Sequence, residues 1–430
     1  MACSIAAMND SMIVRRERVA TALGFTNEIL VVTAGAPIPL PENTDQCYPF
    51  ITHAEFAFLS DLEMPAALVA YDPKAPEGER WQDFTPLVTE AERVWEGRTQ
   101  APGRPLPEFE AWLSARKGRP LAVLGAGLSG VSIDANATQR ARTRLHHARR
   151  PKDAGEIALM RQAAAATAAG YARVAGLIAP GVSERRIQIE LEAEFLRGGA
   201  SQPGFGTIVG AGSNSAVLHF SPSARLVADG DFVLIDSGAQ FGRYTADVTR
   251  TFLVGAVSQF QRDLYQVVLD AQVRAIARCR PGVEWKDVHL GCAIDMMGGL
   301  RDMGLVKGDP QELVEREAHT LFFPHGIGHL VGLGVRDASG LLPGREKDPR
   351  PCLRTLRMDL PLEEGYIATV EPGLYFIPAI LQDPVRRARY NADINWGLVD
   401  AHLHIGGVRI EDDVLVTAAG PDVLTAAIPK

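Results

Sequence analysis

Cysteine is scarce in this chain: Cys3, Cys47, Cys279, Cys292 and Cys352 stand far apart among 430 residues. The number is odd and no C-x-x-C pair occurs, so neither a disulfide framework nor a thiolate zinc site is expected, and a reducing cytoplasm fits. Positive charge is also in deficit. Lys plus Arg number 44 against 52 Asp plus Glu, a formal charge of −8, which leaves no basic field to draw in nucleic acid or an anionic membrane. Long apolar runs are missing. The Ala-rich stretch 163–179 is broken by Thr167, Gly170 and Arg173, and the opening MACSIAAMNDSM has no basic leader and too short an apolar core for a signal peptide. Neither a transmembrane helix nor secretion is expected. With 46% apolar and 22% charged residues and no low-complexity segment, the chain is expected to fold into two or three globular domains.

The pattern changes at about residue 147. Residues 1–147 hold a basic amphipathic stretch, MIVRRERVATAL, and the strand-like runs EILVVTAG and AALVAYD, which together read as an α/β domain. From 148 a long helix is expected after Pro151, opened by a capping box between Asp153 and Glu156. The remainder, 148–430, reads as α+β with an internal duplication at an offset of 101 residues. Pro180-Gly181-Val182 pairs with Pro281-Gly282-Val283, and Ile187, Ile189 and Leu191 pair with Val288, Leu290 and Cys292. In each copy one helix is expected to end at Pro-Gly and the next to stop at Gly-Gly. Chance likeness between two helix pairs is the alternative. A true duplication implies two half-domains whose strands meet around a central site. The stretch 378–412 reads as a helical excursion and loop.

Four strand-like runs each carry an acid where an apolar strand has little use for one: Asp236 after FVLI, Asp247 before VTRTF, Glu371 after IATV, and Glu411 before DDVLV. Any one alone fits a surface acid at a strand end. Four buried together would be prohibitive without cations, and two divalent ions would balance them. The segment FFPHGIGHLVGLGVRD adds His325 and His329 at i, i+4, with Gly326 and Gly328 between them. Two glycines argue against a helical H-E-x-x-H site; a glycine-rich turn can instead bring an imidazole close to a metal. An oxygen-rich set with one imidazole suits Mn, Co, Fe or Zn.

The order IDSGAQFGRYTADVT, PHGIGH, TVEPG and GGVRIEDD resembles the metal-binding series of the pita-bread metallopeptidases, the group of prolidase, aminopeptidase P and methionine aminopeptidase. The resemblance covers about 150–430 well and the creatinase-like N-terminal domain weakly. It implies a two-metal centre, with Mn the first expectation, held by Asp236, Asp247, His329, Glu371 and Glu411, of which Asp247 and Glu411 bridge. It makes His219 the histidine beside the scissile carbonyl, His325 the supporting histidine of H-G-x-G-H, and Glu371 a proton acceptor and donor besides a ligand. Arg409, two residues before Glu411 and so on the same strand face, can pair with the cluster. The implied mechanism is attack on the peptide carbonyl by a metal-bridging hydroxide.

Within that family the sequence favours the dipeptidase branch. An N-terminal domain is present, the insert before GGVRIED is long and carries Asn395-Trp396, and Arg357 matches the prolidase arginine that holds the substrate's terminal carboxylate. An ordinary surface arginine is the alternative for Arg357. One departure stands out: where the family reads V-H-D, this chain reads Val335-Arg336-Asp337. Arginine cannot shuttle a proton at neutral pH but can hold an anion; turning away to pair with Asp337 or a surface acid is the bland alternative. The expectation is a cytoplasmic, homodimeric Xaa-Pro dipeptidase acting on small peptides with proline second. Its rivals are an Xaa-Pro aminopeptidase for longer peptides, a side activity on phosphotriesters, and a metal-free binding protein on the same fold.

Overall fold

A computed structural model describes residues 5–42 and 46–430, so Cys3 and the start of the opening segment lie outside the described residues. The chain divides into two compact units, up to Arg149 and from Arg150. The boundary expected after residue 147 falls inside the last turn of helix Ala135–Arg149, which stays whole within the first unit. No described helix is long and apolar enough to cross a membrane.

In the first unit the apolar run ILVVT forms strand Ile29–Thr33, buried at every position. It pairs antiparallel with Leu68–Tyr71 and parallel with Leu121–Gly125, and Trp81–Thr85 and Arg104–Pro105 complete a five-stranded sheet. Alternate residues such as Ile29, Val31, Leu121 and Val123 share a face and pack with Phe84, Phe109 and Trp112, whose rings stack and meet edge to face.

The second unit opens with helix Ala154–Ala175, started by the expected capping box: Asp153 accepts from the Glu156 amide at 2.8 Å and Glu156 from the Asp153 amide at 2.9 Å. It packs on helix Glu184–Arg197, and Gln259–Arg278 packs on Trp285–Asp302 in the same way. The duplication is written into the backbone. In the first half Gly181 donates to Val227, Val227 to Val182 and Glu184 to Arg225; in the second Gly282 donates to Leu362, Leu362 to Val283 and Trp285 to Leu360. The offset is 101 residues on the helix side and 135 on the strand side, the difference being loop length. Each half then supplies a three-stranded antiparallel sheet, one with Phe232–Ser237 between Ile208–Ala211 and Val248–Leu253, the other with Asp412–Thr417 between Ile367–Val370 and Gly420–Val423.

One expectation fails here. Helix Trp285–Asp302 does not stop at Gly298-Gly299 but runs three residues past Gly299. A Cβ on Gly299 would lie 2.5 Å from both methyl carbons of Val267, so this glycine lets two helices approach rather than ending one. The excursion at 378–412 consists of three short helices, Pro378–Leu381, Pro384–Arg389 and Trp396–Ala401, followed by strand Gly407–Arg409.

Candidate metal centre

Four carboxylates arrive together because four strand ends do. Asp236 lies in Phe232–Ser237 opposite Thr249; Asp247 immediately precedes Val248–Leu253; Glu371 immediately follows Ile367–Val370; Glu411 immediately precedes Asp412–Thr417. The halves are joined across this point. The Glu411 amide donates to the Thr249 carbonyl at 3.0 Å, and the Asp247 amide donates to the Asp413 carboxylate at 3.1 Å.

Asp247, His329 and Glu411 each present a ligand atom, all within 4.8 Å of one another. Nε2 of His329 stands 3.5 Å from Asp247 and 3.9 Å from Glu371. Its Nδ1 faces the Leu330 carbonyl at 3.1 Å and so carries the proton, which leaves the Nε2 lone pair toward the acids. The glycine-rich turn makes this approach possible: a Cβ on Gly328 would sit 2.0 Å from the Thr369 carbonyl, and the His329 amide donates to the Thr369 hydroxyl.

Burial, reinforced by Glu411 and Asp236, pushes the Asp247 carboxyl well up; burial, reinforced by Glu371 and Asp236, does the same to Glu411. Burial pushes Glu371 up to about 7 against the pull of Arg409. Asp236 Oδ1 is buried without a partner, which costs about 1–3 kcal/mol if nothing meets it. Carboxylates that raise one another's pKa, a bare carboxylate oxygen and a bare imidazole nitrogen form a donor set that divalent cations fit.

Arg409 is the buried cation of the cluster. It donates to Asp236 at 2.6 Å, to the Tyr375 hydroxyl at 2.9 Å and to the Thr249 hydroxyl at 3.0 Å. Burial disfavours its charge, but Tyr375, Asp236, Glu411 and Glu371 outweigh that and push its pKa up. The Thr249 hydroxyl in turn donates a hydrogen bond to Glu411 at 2.5 Å. Tyr375 is left to donate to Nε2 of His325, 2.9 Å away, so His325 Nδ1 donates to the Gly326 carbonyl. Burial lowers His325 to about 3 and His329 to about 4, so both rings are neutral.

A cavity of about 1040 Å³ opens over the cluster, and every residue singled out from the sequence as ligand, catalytic or substrate group lines it. Asp247 and Glu411 are buried at its floor, while His219, Arg336 and Arg357 are exposed. Asn395 and Trp396 do not line it. Asn395 caps helix Trp396–Ala401 and donates to the Gly304 carbonyl, and Trp396 lies under the Arg387 guanidinium at 4.6 Å, so this pair serves the insert's own packing. Sequence reasoning passed over Thr249, Tyr375, Asp413 and Arg354. Thr249, two residues after Asp247 and therefore on its strand face, was within reach of it; the link between Tyr375 and His325 spans 50 residues and has no sequence signal.

Residues 158–418 match the family described as metallopeptidase family M24. A probable Xaa-Pro aminopeptidase pepP of Aspergillus terreus is 31% identical over 90% of this chain and 88% of its own length. A probable Xaa-Pro aminopeptidase PEPP of Paracoccidioides brasiliensis is 29% identical over 95% of this chain and 92% of its own. Among solved structures, aminopeptidase PepP of Pseudomonas aeruginosa has a TM-score of 0.78 at 27% identity, covering 97% of this chain and 96% of that one. Zinc-substituted Escherichia coli aminopeptidase P in complex with product has a TM-score of 0.78 at 25% identity, with the same coverage.

Proposed function

The chain belongs to metallopeptidase family M24, with a pita-bread catalytic domain after an N-terminal α/β domain, and from that premise we propose that it is an Xaa-Pro aminopeptidase. It would release the first residue of peptides that carry proline second. One observation carries the hydrolytic reading: four carboxylates and the bare Nε2 of His329 converge at the floor of one cavity. Relatives named Xaa-Pro aminopeptidase, matched along 90% and more of this chain, support the aminopeptidase over the dipeptidase first expected. Arg357, lining the cavity with no partner for its guanidinium among the described residues, keeps the dipeptidase as the second reading.

Asp236, Asp247, His329, Glu371 and Glu411 would hold two divalent ions, Mn being the first to test and Co, Fe and Zn the others that suit the set. Bound there, the ions would supply Lewis acidity toward water and the peptide carbonyl. Glu371, whose Oε2 lies 3.8 Å from Nδ1 of His325, would take a proton and return it to the leaving proline nitrogen. His219 would donate to the scissile carbonyl from the cavity wall. Arg409 holds Asp236 in place, and through Tyr375 it also sets the tautomer of His325. A cytoplasmic, homodimeric enzyme belongs to the same proposal; the four described cysteines, all free, support the compartment.

The test is a tripeptide Xaa-Pro-Yaa against a dipeptide Xaa-Pro, with protein stripped of metal and reloaded with Mn. Metal-dependent cleavage of the tripeptide is expected. Cleavage of the dipeptide alone would return the assignment to a dipeptidase, and full activity in protein shown metal-free by elemental analysis would overturn the metal reading.

A further inference from the structure

The floor of the cavity has a reverse side. Glu411 lines the cavity, and Asp412, the next residue, points to the opposite face of the same strand, where its carboxylate is fully buried. All four of its lone-pair positions are met there. One oxygen accepts from the Arg250 guanidinium at 2.8 Å and from the Thr425 hydroxyl at 2.7 Å; the other accepts from the Gln272 amide at 2.8 Å and from the Lys430 ammonium at 2.7 Å. Arg250, buried beside it, uses all five of its N–H groups. Besides Asp412 it donates to the carbonyls of Thr249 at 2.9 Å, Glu411 at 2.7 Å, Ile428 at 2.7 Å and Pro429 at 2.9 Å. One guanidinium therefore fastens residues 428 and 429 to the backbone of Glu411 and of Thr249, whose hydroxyl donates to the Glu411 carboxylate.

We propose that Lys430 is a positioning residue of the metal centre, holding Glu411 in place through Asp412 and Arg250. The inference rests on the reading of Glu411 as a metal ligand. Ile428, buried in the apolar cluster of the first half, anchors the stretch that brings Lys430 to the network. The lysine enters from the surface, its side chain 23% exposed against 0% for Asp412 and 2% for Arg250. It also donates to the Gln272 oxygen at 2.7 Å, which turns the NH2 of that amide toward Asp412. Without the ammonium, Asp412 loses a charged donor and the Gln272 oxygen its partner, and Arg250 has no N–H left to replace it. A buried carboxylate short of a donor shifts toward solvent, and Glu411, joined to it by one peptide bond, shifts with it. Metal ligands tolerate little of this, since a site holds its ion only within about 0.2 Å of the proper distances.

The experiment strips the full chain of metal and titrates Mn back against a competing chelator, with elemental analysis for stoichiometry and urea unfolding of the metal-free protein alongside. K430M is expected to weaken Mn binding by about tenfold, the lower end of what losing an outer partner of a ligand costs. K430R, which keeps both charge and donors, should recover most of that loss. K430Q, which lacks the charge, should also bind more weakly than the parent and serves if K430M does not fold. Parental Mn affinity in K430M, whether or not its unfolding midpoint falls, would overturn the proposal and leave Lys430 a stabilising contact only. An equal loss in K430R and K430M would also overturn it, since the positive charge would then not be what holds Asp412. A parent chain that binds no Mn, Co or Zn would overturn the ligand reading itself, and this inference with it.

Discussion

Glu184 and Trp285 occupy the same place in the two halves of the second unit, 101 residues apart, and fill it with opposite chemistry. The fully buried Glu184 carboxylate accepts from the Ala211 amide, the Asn214 side chain, and the Ser223 amide and hydroxyl; the equally buried Trp285 indole has a bare N–H in an apolar cluster. Four residues on, Gln188 lines the active cavity and its counterpart His289 is buried, both ring nitrogens without partners. Even the helix contact repeats with different tolerance: Gly198 faces Ala166, where a Cβ would sit at 3.3 Å, and Gly299 faces Val267, where it would sit at 2.5 Å. Backbone bonds that need no particular side chain preserve the scaffold, so side chains diverge wherever their polarity is met locally. The halves stay bound to a common task only at the strand ends, where each contributes two acids.

The comparison breaks most severely at those acids. If both halves serve one centre, Asp236→Asn in the first and Glu411→Gln in the second should each lower bound metal, read by elemental analysis, and activity by at least about 100-fold, since losing even an outer partner of a metal ligand can cost that much. A loss confined to one variant would mean that only its half holds metal.

Helix packing separates the halves next. Gly299→Ala should cost about 1–3 kcal/mol by overpacking against Val267, while Gly198→Ala, whose Cβ at 3.3 Å from Ala166 is tight but asks its neighbour to give by only a few tenths of an ångström, should cost less than about 1 kcal/mol. Urea unfolding of the two variants measures both, and equal losses would remove the asymmetry.

Acid should find the second half first. Burial lowers His289 to about 3, with His319, His325 and Arg350 adding to it, and lowers His319 to about 4 against the opposing pull of Glu317. Both folded values lie below the ordinary 6.5, so the unfolded chain takes up protons first as pH falls. Their contribution is whole above pH 6.5 and is lost as pH drops through the folded values. His319→Leu should therefore narrow the stability difference between pH 7 and pH 5 by about 1–2 kcal/mol, measured by urea unfolding at each pH. An unchanged difference would show that His319 does not titrate with folding.

The smallest contrast lies in the caps. Ser183 caps its helix by accepting from the Arg186 amide, whereas Glu284 makes no side-chain cap and pairs with Arg345 instead. Ser183→Ala should cost about 1 kcal/mol and Glu284→Gln less, because the latter gives up a half-exposed ion pair and no cap. Thermal unfolding should rank them in that order.

Local pattern carried much of this structure. Apolar runs such as ILVVT and FVLI became buried strands, and Asp153 with Glu156 became a capping box, because neighbours in sequence satisfy both features. The four acids and His329 stood out because an acid beside an apolar strand and an imidazole between glycines each break a local rule. Spacing failed where a residue's meaning depended on a distant surface: Gly299 looked like a helix end until Val267 came against it.

The strands, the helix starts, the two related halves and the types of group at the centre are legible in the order of residues, because they follow from bonds between near neighbours or from the cost of burying charge. Which groups meet is settled by folding. Tyr375 joins His325 to Arg409, Thr249 joins Arg409 to Glu411, and Lys152 takes Asp337 away from Arg336. These contacts close across 34 to 185 residues of chain, and a hydrogen bond depends on a fraction of an ångström that no spacing in sequence encodes.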